Sequence, residues 1–297
     1  MDRLSILPSE TLWQVLSYLT VHDLSCIRLV SKKLALFADH PSHWRHLHLA
    51  PPQQYEEEQK VVSFSSSSLK LWSLKDLQRL IGPHRRIIES IQIWGVRDNI
   101  VRYILSHCVN LTDLTLCGWA TLSDHAFKHL HPELKLHRLM LVGAQEQPNY
   151  TAMDATTLAH LLMQCPLKEL SLGCQVHIHA QTLLMELNKQ QLPYKSSKKH
   201  NLSLFTKSKT TKPPLHLQRL TLATRRTWST EHVMALFDTC PSLHHVCLFP
   251  AAAAGGFDLA QTKKMGEIMD HQQELQMDGA MDMMIHRSTE RTVEWLA

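Results

Sequence analysis

The sequence lacks a long apolar run, a strong net charge and an apolar leader, and each absence excludes a class of protein. No run approaches the roughly 20 apolar residues that cross a bilayer, so we expect no membrane partner. A net charge of +4 over 297 residues is too small to hold polyanions by bulk charge. Met1-Asp2-Arg3 leads directly into an amphipathic pattern, and the seven cysteines are an odd number. We therefore expect a reducing compartment, cytoplasmic and/or nuclear.

Motifs of catalysis and cofactor binding are also missing. The chain has no glycine-rich phosphate loop, no Gly-x-Ser-x-Gly and no His-Glu-x-x-His. The densest group of metal-ligand residue types is Cys165, Cys174, His177 and His179, and its spacing matches no zinc pattern. We expect a non-catalytic protein with no cofactor and no bound metal.

The N-terminal segment is rich in apolar residues at helical spacing. Leu12, Val15, Leu16 and Leu19 share one face of a helix for which Pro8 is a suitable start. Asp23 and Ser31 are predicted to be the N-caps of two further helices, because aspartate and serine are favoured at that position. About 40 residues cannot bury this much apolar surface alone, so we expect part of it to meet a partner.

These residues resemble the F-box, over residues 3–49. The match rests on Leu7, Pro8, Glu10, Asp23, Leu24, Arg28, Leu29, Val30, Ser31, Lys32, Pro41 and Trp44. The resemblance implies docking to a Skp-type adaptor of a cullin–RING ubiquitin ligase. The residues expected to hold the adaptor are Leu7, Pro8, Leu12, Leu16, Leu19, Leu24, Ile27 and Val30. The alternative is a helical hairpin that caps the following domain.

A Leu-x-x-Leu-x-Leu pattern recurs through the middle of the chain. Copies begin at Leu111, Leu136, Leu167 and Leu217, and weaker copies at Ile88 and Leu243. Each copy predicts a short strand, and helical apolar spacing follows it. Gly95, Gly118 and Gly143 lie two residues past their strands, and Cys108, Cys165 and Cys240 end the helices.

This recurrence resembles the leucine-rich repeat, over residues 70–250. The resemblance implies an α/β fold in which a short helical F-box precedes a small solenoid with parallel strands inside and helices outside. An irregular α/β domain is the alternative. Residues 50–69 are predicted to be a linker, and residues 251–297 a C-terminal cap or tail.

If the strands stack in register, their third positions form one row on the open face of the sheet. That row is Ser90, Asp113, Arg138, Glu169, Arg219 and His245, and the fifth positions are Gln92, Thr115, Met140, Ser171, Thr221 and Cys247. We predict a charge ladder Asp113–Arg138–Glu169–Arg219, which either supports the repeats or selects a ligand by charge. Trp94, Trp119 and Trp228 lie just beyond their strands, where each would rim this face or join the core.

A basic insertion at residues 188–214 lengthens one repeat. It is interpreted as a solvated loop, or as a contact for an acidic or phosphorylated target together with Arg225 and Arg226. Contact with nucleic acid through this loop is the less favoured alternative. Together, the two resemblances imply the substrate-recognition subunit of a Skp–cullin–F-box ubiquitin ligase, with an unknown target. A non-degradative scaffold is the second interpretation.

Overall fold

The computed structural model describes residues 7–50, 71–119, 121–142, 150–176, 178–191, 215–224, 228–250 and 291–295. Several predictions therefore lie outside the described residues: the linker but for its first residue, nearly all of the basic insertion, Gly143, His177, Arg225, Arg226 and most of the tail. In the described ranges no helix has the length and apolarity needed to span a membrane.

Four short helices form the N-terminal segment: α1 (Ser9–Ser17), α2 (Val21–Ile27), α3 (Lys32–Ala38) and α4 (Pro41–Trp44). Pro8 precedes α1, and its carbonyl accepts a hydrogen bond from the Leu12 N–H. Ser31 caps α3 as predicted, because its hydroxyl accepts from the Leu34 N–H at 3.2 Å. The prediction for α2 is wrong: Thr20 is the N-cap, and Asp23 completes a capping box by accepting from the Thr20 N–H.

A parallel sheet of eight main strands follows. Their bounds are β1 (His46–Leu49), β2 (Ser90–Trp94), β3 (Asp113–Cys117), β5 (Arg138–Val142), β7 (Glu169–Val176), β8 (Arg219–Thr224), β9 (His245–Pro250) and β10 (Thr292–Trp295). Neighbours in the sheet follow the order in which these strands occur in the chain. Two short strands, β4 (Thr121–Ser123) and β6 (Tyr150–Ala152), pair with each other, and β6 also pairs with β7.

Helices alternate with the strands and cover their leucine face. They are α5 (Leu74–Ile81), α6 (Asp98–His107), α7 (Ala155–Gln164), α8 (Ala180–Gln191) and α9 (Thr230–Thr239), with short 3-10 helices at Gly82–His84 and Asp124–Ala126. The predicted register is confirmed: Leu114 pairs with Leu139, and Leu139 with Leu170. One core thus runs from Leu12 in α1 to Leu248 in β9.

The three recurring cysteines, and Gly95 and Gly118 among the recurring glycines, have the structural roles that their positions predict. Cys108, Cys165 and Cys240 end α6, α7 and α9, and burial raises the pKa of each thiol to about 12. These three thiols therefore stay protonated and unreactive. Gly95 and Gly118 adopt positive φ angles of 73° and 59°, which glycine adopts without steric cost.

The two ends of the sheet hold strands that the leucine pattern did not predict. β1 lies within the range assigned to the F-box, yet its Leu47 pairs with Ile91 of β2. At the other end β10, in the predicted tail, pairs in parallel with β9, and the Arg291 guanidinium lies 5.0 Å from the centroid of the Phe237 ring. The sheet is therefore continuous with the N-terminal helices at one edge and with the tail at the other.

Carboxylates link successive strand–helix units at the starts of their helices. One oxygen of Asp98 accepts from the Ser123 N–H at 2.9 Å, and the other accepts from the Ser123 hydroxyl. In the next unit Asp124 accepts from the Asp154 N–H at 2.9 Å. Each carboxylate thereby joins one helix start to the unit that follows it.

We expect Asp98→Ala to lower the free energy of unfolding by about 1–3 kcal/mol, because Ser123 loses a charged acceptor at a half-buried site. Urea titration followed by circular dichroism measures this change. Asp76→Ala is the matched control, since Asp76 is an exposed carboxylate in the first turn of α5. Equal stabilities of the two variants would contradict the linking role of Asp98.

Candidate docking surfaces

Exposed large apolar side chains concentrate in the N-terminal segment. Of seven in the described part of the chain, five lie between residues 15 and 36: Val15, Tyr18, Leu29, Val30 and Leu36. Leu29 and Val30, in the turn between α2 and α3, are 84% and 68% exposed. The other two are methionines on outer helices, Met185 and Met234. Val15 and Tyr18 lie at α1, and Leu36 lies on α3, so these exposed side chains are candidates for contact with another protein.

The structure divides the predicted adaptor-binding residues into two groups. Leu12, Leu16 and Leu24 are 1–2% exposed and pack in the core, so the prediction that they touch the adaptor directly is corrected: they hold the helices together. Pro8 and Val30 are exposed, and the partly buried Leu7, Leu19 and Ile27 pack against the core. Helical spacing predicted one apolar face, and α3 covers the middle of it by packing on α1 and α2, while α5 and β1 also pack on α2.

Sequence reasoning missed Tyr18 and Leu36, and it counted Leu29 in the motif without assigning it to the contact surface. Leu36 lies two residues from both Leu34 and Ala38, the buried positions of α3, so it falls on the opposite face. The two-residue spacing of Leu36 from Leu34 and Ala38 is the sequence signal that could have identified it, because it places a leucine on the side of α3 that faces away from the core. Leu29 follows α2, where the helical pattern no longer applies.

A polar cluster joins the N-terminal segment to the sheet domain. The Arg28 Nε lies 3.1 Å from Asp39 Oδ1, and the Arg28 Nη1 donates to His84 Nε2 at 3.3 Å. The His84 ring stacks on Trp44 with centroids 3.7 Å apart and planes at 15°. His84 belongs to the sheet domain and the other three to the N-terminal segment, so this cluster fixes the orientation of one relative to the other.

Burial lowers the pKa of His84 to about 4, against the attraction of Asp39 and together with repulsion from Arg28. The imidazole is therefore neutral at neutral pH, and its Nε2 is the acceptor for the Arg28 guanidinium. The short approach of His84 Nε2 to Asp39 Oδ1, 3.5 Å, is then not an ion pair. The Arg28–Asp39 contact carries the charge interaction at this joint.

The predicted third-position residues form one row across the sheet, in which Ser90 to Arg219 are at least partly exposed and His245 at the end is buried. Register pairs Ser90 with Asp113, Asp113 with Arg138, Arg138 with Glu169, Glu169 with Arg219, and Arg219 with His245. Arg138 Nε lies 3.3 Å from Glu169 Oε2, and Arg219 Nη2 donates to the same oxygen at 2.9 Å. The predicted Asp113–Arg138 pair is wrong: the Asp113 carboxylate accepts from the Thr112 hydroxyl at 2.7 Å instead.

An apolar cluster interrupts this face near the carboxyl ends of β2, β3 and β5. Cys117, Met140 and Val142 are buried there against the half-buried Trp94. Burial raises the pKa of the Cys117 thiol to about 12, so this thiol is unreactive as well. Trp119 and Trp228 do not rim the face, because both are buried in the main core. The face therefore has a charged half, at the strand starts, and an apolar half.

Comparison with known protein families identifies the N-terminal segment. A family model described as F-box-like matches residues 4–50, which include α1 to α4 and β1. A search of curated proteins found no match to the chain. F-box domains typically bind Skp-type adaptors. The chain thus contains an F-box-like domain, which is followed by a mixed α/β region with a parallel sheet.

Proposed function

We propose that the protein is the substrate-recognition subunit of a Skp–cullin–F-box ubiquitin ligase, acting in the cytoplasm and/or nucleus. The F-box-like domain docks on a Skp-type adaptor, and a cullin–RING assembly is recruited through that adaptor. The strand–helix units, which resemble leucine-rich repeats, bind the target protein. The protein itself is not an enzyme.

The observation that carries the proposal is the concentration of exposed apolar side chains in the F-box-like domain. Leu29 and Val30 are largely exposed to solvent, whereas Leu24 and Leu34, close to them in the chain, are buried. Burying an exposed Leu or Val side chain against a partner is worth about 1.5–3 kcal/mol, so this pair alone favours association. The charged row on the open face of the sheet then remains accessible to a target.

The mechanism that follows is proximity rather than bond chemistry. The shared core and the Arg28–His84–Trp44 joint hold the F-box-like domain and the sheet in one orientation. A target bound to the sheet is thereby presented at a fixed position relative to the ubiquitin-conjugating enzyme that the cullin brings. The resulting high effective concentration accelerates the transfer of ubiquitin to lysines of the target, and this modification leads to degradation of the target.

We expect Leu29→Asp with Val30→Asp to weaken binding to a Skp-type adaptor at least tenfold, because each aspartate places a charge in an apolar contact. Leu7→Ala with Pro8→Ala should weaken it to a smaller extent. The affinities are measured by binding of the purified full-length protein to surface-immobilised adaptor. Co-purification from cells shows whether a cullin is part of the complex.

The matched control is Met185→Asp with Met234→Asp, which replaces two exposed apolar residues on α8 and α9. This variant should bind the adaptor with unchanged affinity. Adaptor binding that survives the Leu29/Val30 change in a folded protein would refute the proposal. Adaptor binding without any cullin in the cellular complex would refute the ligase and leave a scaffold.

A further inference from the structure

We propose that the charged half of the open face, formed by Arg138, Glu169 and Arg219, docks an acidic segment of the target protein. The inference rests on the proposed role as a substrate receptor and names the chemistry that this receptor selects. Its starting point is the imbalance of charge at the starts of β5, β7 and β8, where two guanidinium groups flank one carboxylate.

The two arginines converge on a single point. Both lie on strands that flank β7, and each approaches the same oxygen, Glu169 Oε2, at 3.3 and 2.9 Å. A guanidinium carries five N–H donors, and each arginine uses one nitrogen for this contact. Among the described residues neither arginine has a further hydrogen bond, so the remaining N–H donors of both can serve an incoming acceptor.

Exposure shows that this cluster is open rather than covered. The side chains of Arg138 and Arg219 are 46% and 51% exposed, whereas Glu169 between them is 21% exposed. The carboxylate is thus less accessible to solvent than the two guanidinium groups that flank it. Ion pairs this exposed contribute about 0–1 kcal/mol to folding, so stability alone is a weak explanation for the arrangement.

Neighbouring groups confine the excess of positive charge to this cluster. Lys168, exposed directly before β7, precedes Glu169 by one residue, so alternation assigns it to the other side of the strand; there burial, and secondly the charge of Lys168, lowers the pKa of His137. Asp113, the next carboxylate along the row, keeps its negative charge, accepts from the Thr112 hydroxyl and makes no ion pair with Arg138. The anion-attracting part of the row is therefore the Arg138–Glu169–Arg219 cluster, which spans three strands, about 10 Å. A short acidic segment complements it.

The test is fluorescence anisotropy with the full-length protein and a fluorescein-labelled peptide of alternating aspartate and serine, at low and at physiological salt. We expect Arg138→Gln with Arg219→Gln to weaken binding about tenfold or more, since two attractive charges are lost. Glu169→Gln should strengthen binding about fourfold, because it removes a repelling charge roughly 5 Å from the bound carboxylate. A purely supporting role of the ion pairs predicts no gain for Glu169→Gln.

The matched control is Arg79→Gln with Arg102→Gln, which removes the same charge from exposed positions on α5 and α6 and should leave peptide affinity unchanged. Equal affinity for the asparagine–serine version of the peptide would overturn the inference, as would loss of binding in Glu169→Gln. Tighter binding of an oligothymidine that is lost in the Arg138/Arg219 variant would replace the acidic segment with nucleic acid. Adaptor affinity is measured on the same variants; its retention while peptide binding fails refutes this inference and leaves the proposed function standing.

Discussion

Trp44→Ala should lower the free energy of unfolding of the whole protein by about 3–5 kcal/mol. Trp44 is fully buried, and its Nε1 donates to the Ala38 carbonyl at 2.7 Å. Its ring also stacks on His84, which belongs to the sheet domain. Truncation therefore leaves a cavity and an unpaired carbonyl at the point where two parts of the molecule meet.

Urea titration of the variant should show one transition, shifted as a unit, because the core is continuous from α1 to β9. Trp44→Phe is the control: it keeps an aromatic ring on His84 and loses only the hydrogen bond and part of the volume. We expect it to cost about 1–2 kcal/mol, which is the scale of one buried hydrogen bond and a small void. Two separate transitions, with the larger one unshifted, would show that the F-box-like domain folds independently of the sheet.

The register of the sheet could be predicted from sequence because two periods agree. Alternation within a strand assigns every second residue to one face, and the repeated leucine triplets align the strands with one another. The sequence therefore predicts that Arg138, Glu169 and Arg219 lie side by side, and the structure confirms both of their ion pairs. The Asp113–Arg138 pair failed because side-chain rotamers, unlike register, depend on local competition. The Thr112 hydroxyl is next to Asp113 in the chain and satisfies its carboxylate at 2.7 Å.

β1 shows why a domain boundary was harder to predict. Trp44, Leu47 and Leu49 have the same spacing as the leucine triplets of the repeats, but the tryptophan also completes the F-box pattern. One residue serves both units: Trp44 ends α4, and the strand that follows pairs with β2. Because the F-box pattern already accounts for Trp44, the fit of Trp44, Leu47 and Leu49 to the repeat spacing is overlooked, and β1 is assigned to the F-box rather than to the sheet.

The adaptor surface was predicted in the right segment and partly with the wrong residues. Spacing at i, i+3 and i+4 identifies an apolar face without telling whether the partner is the same chain or another one. Leu12 and Leu16 turned out to face the core of this chain, and Leu29 and Leu36 face solvent. The distinction depends on how α3 packs on α1 and on how α3, α5 and β1 pack on α2, and the spacing within one helix does not report such contacts.

Acidification should destabilise the protein through His84. Its pKa is about 4 in the folded protein and 6.5 when unperturbed, so between these values the unfolded chain binds a proton that the folded protein excludes. Stability consequently rises with pH across this interval and is lost as pH falls from about 6.5 towards 4, where the folded state also becomes protonated. The separation of the two values corresponds to about 3 kcal/mol at most.

Two substitutions isolate this contribution from those of other histidines with lowered pKa values, such as His43 and His137. His84→Phe keeps a ring on Trp44, and His84→Gln keeps an acceptor for Arg28; neither side chain titrates. Unfolding free energies measured by urea titration at intervals from pH 4.5 to 7.5 should lose most of their slope in both variants. A slope equal to that of the unaltered protein would assign the pH dependence to other groups. Because His84 contacts Arg28, protonation of His84 would cause repulsion between two cations at the joint between the F-box-like domain and the sheet. The proposed orientation of the target relative to the adaptor depends on that joint.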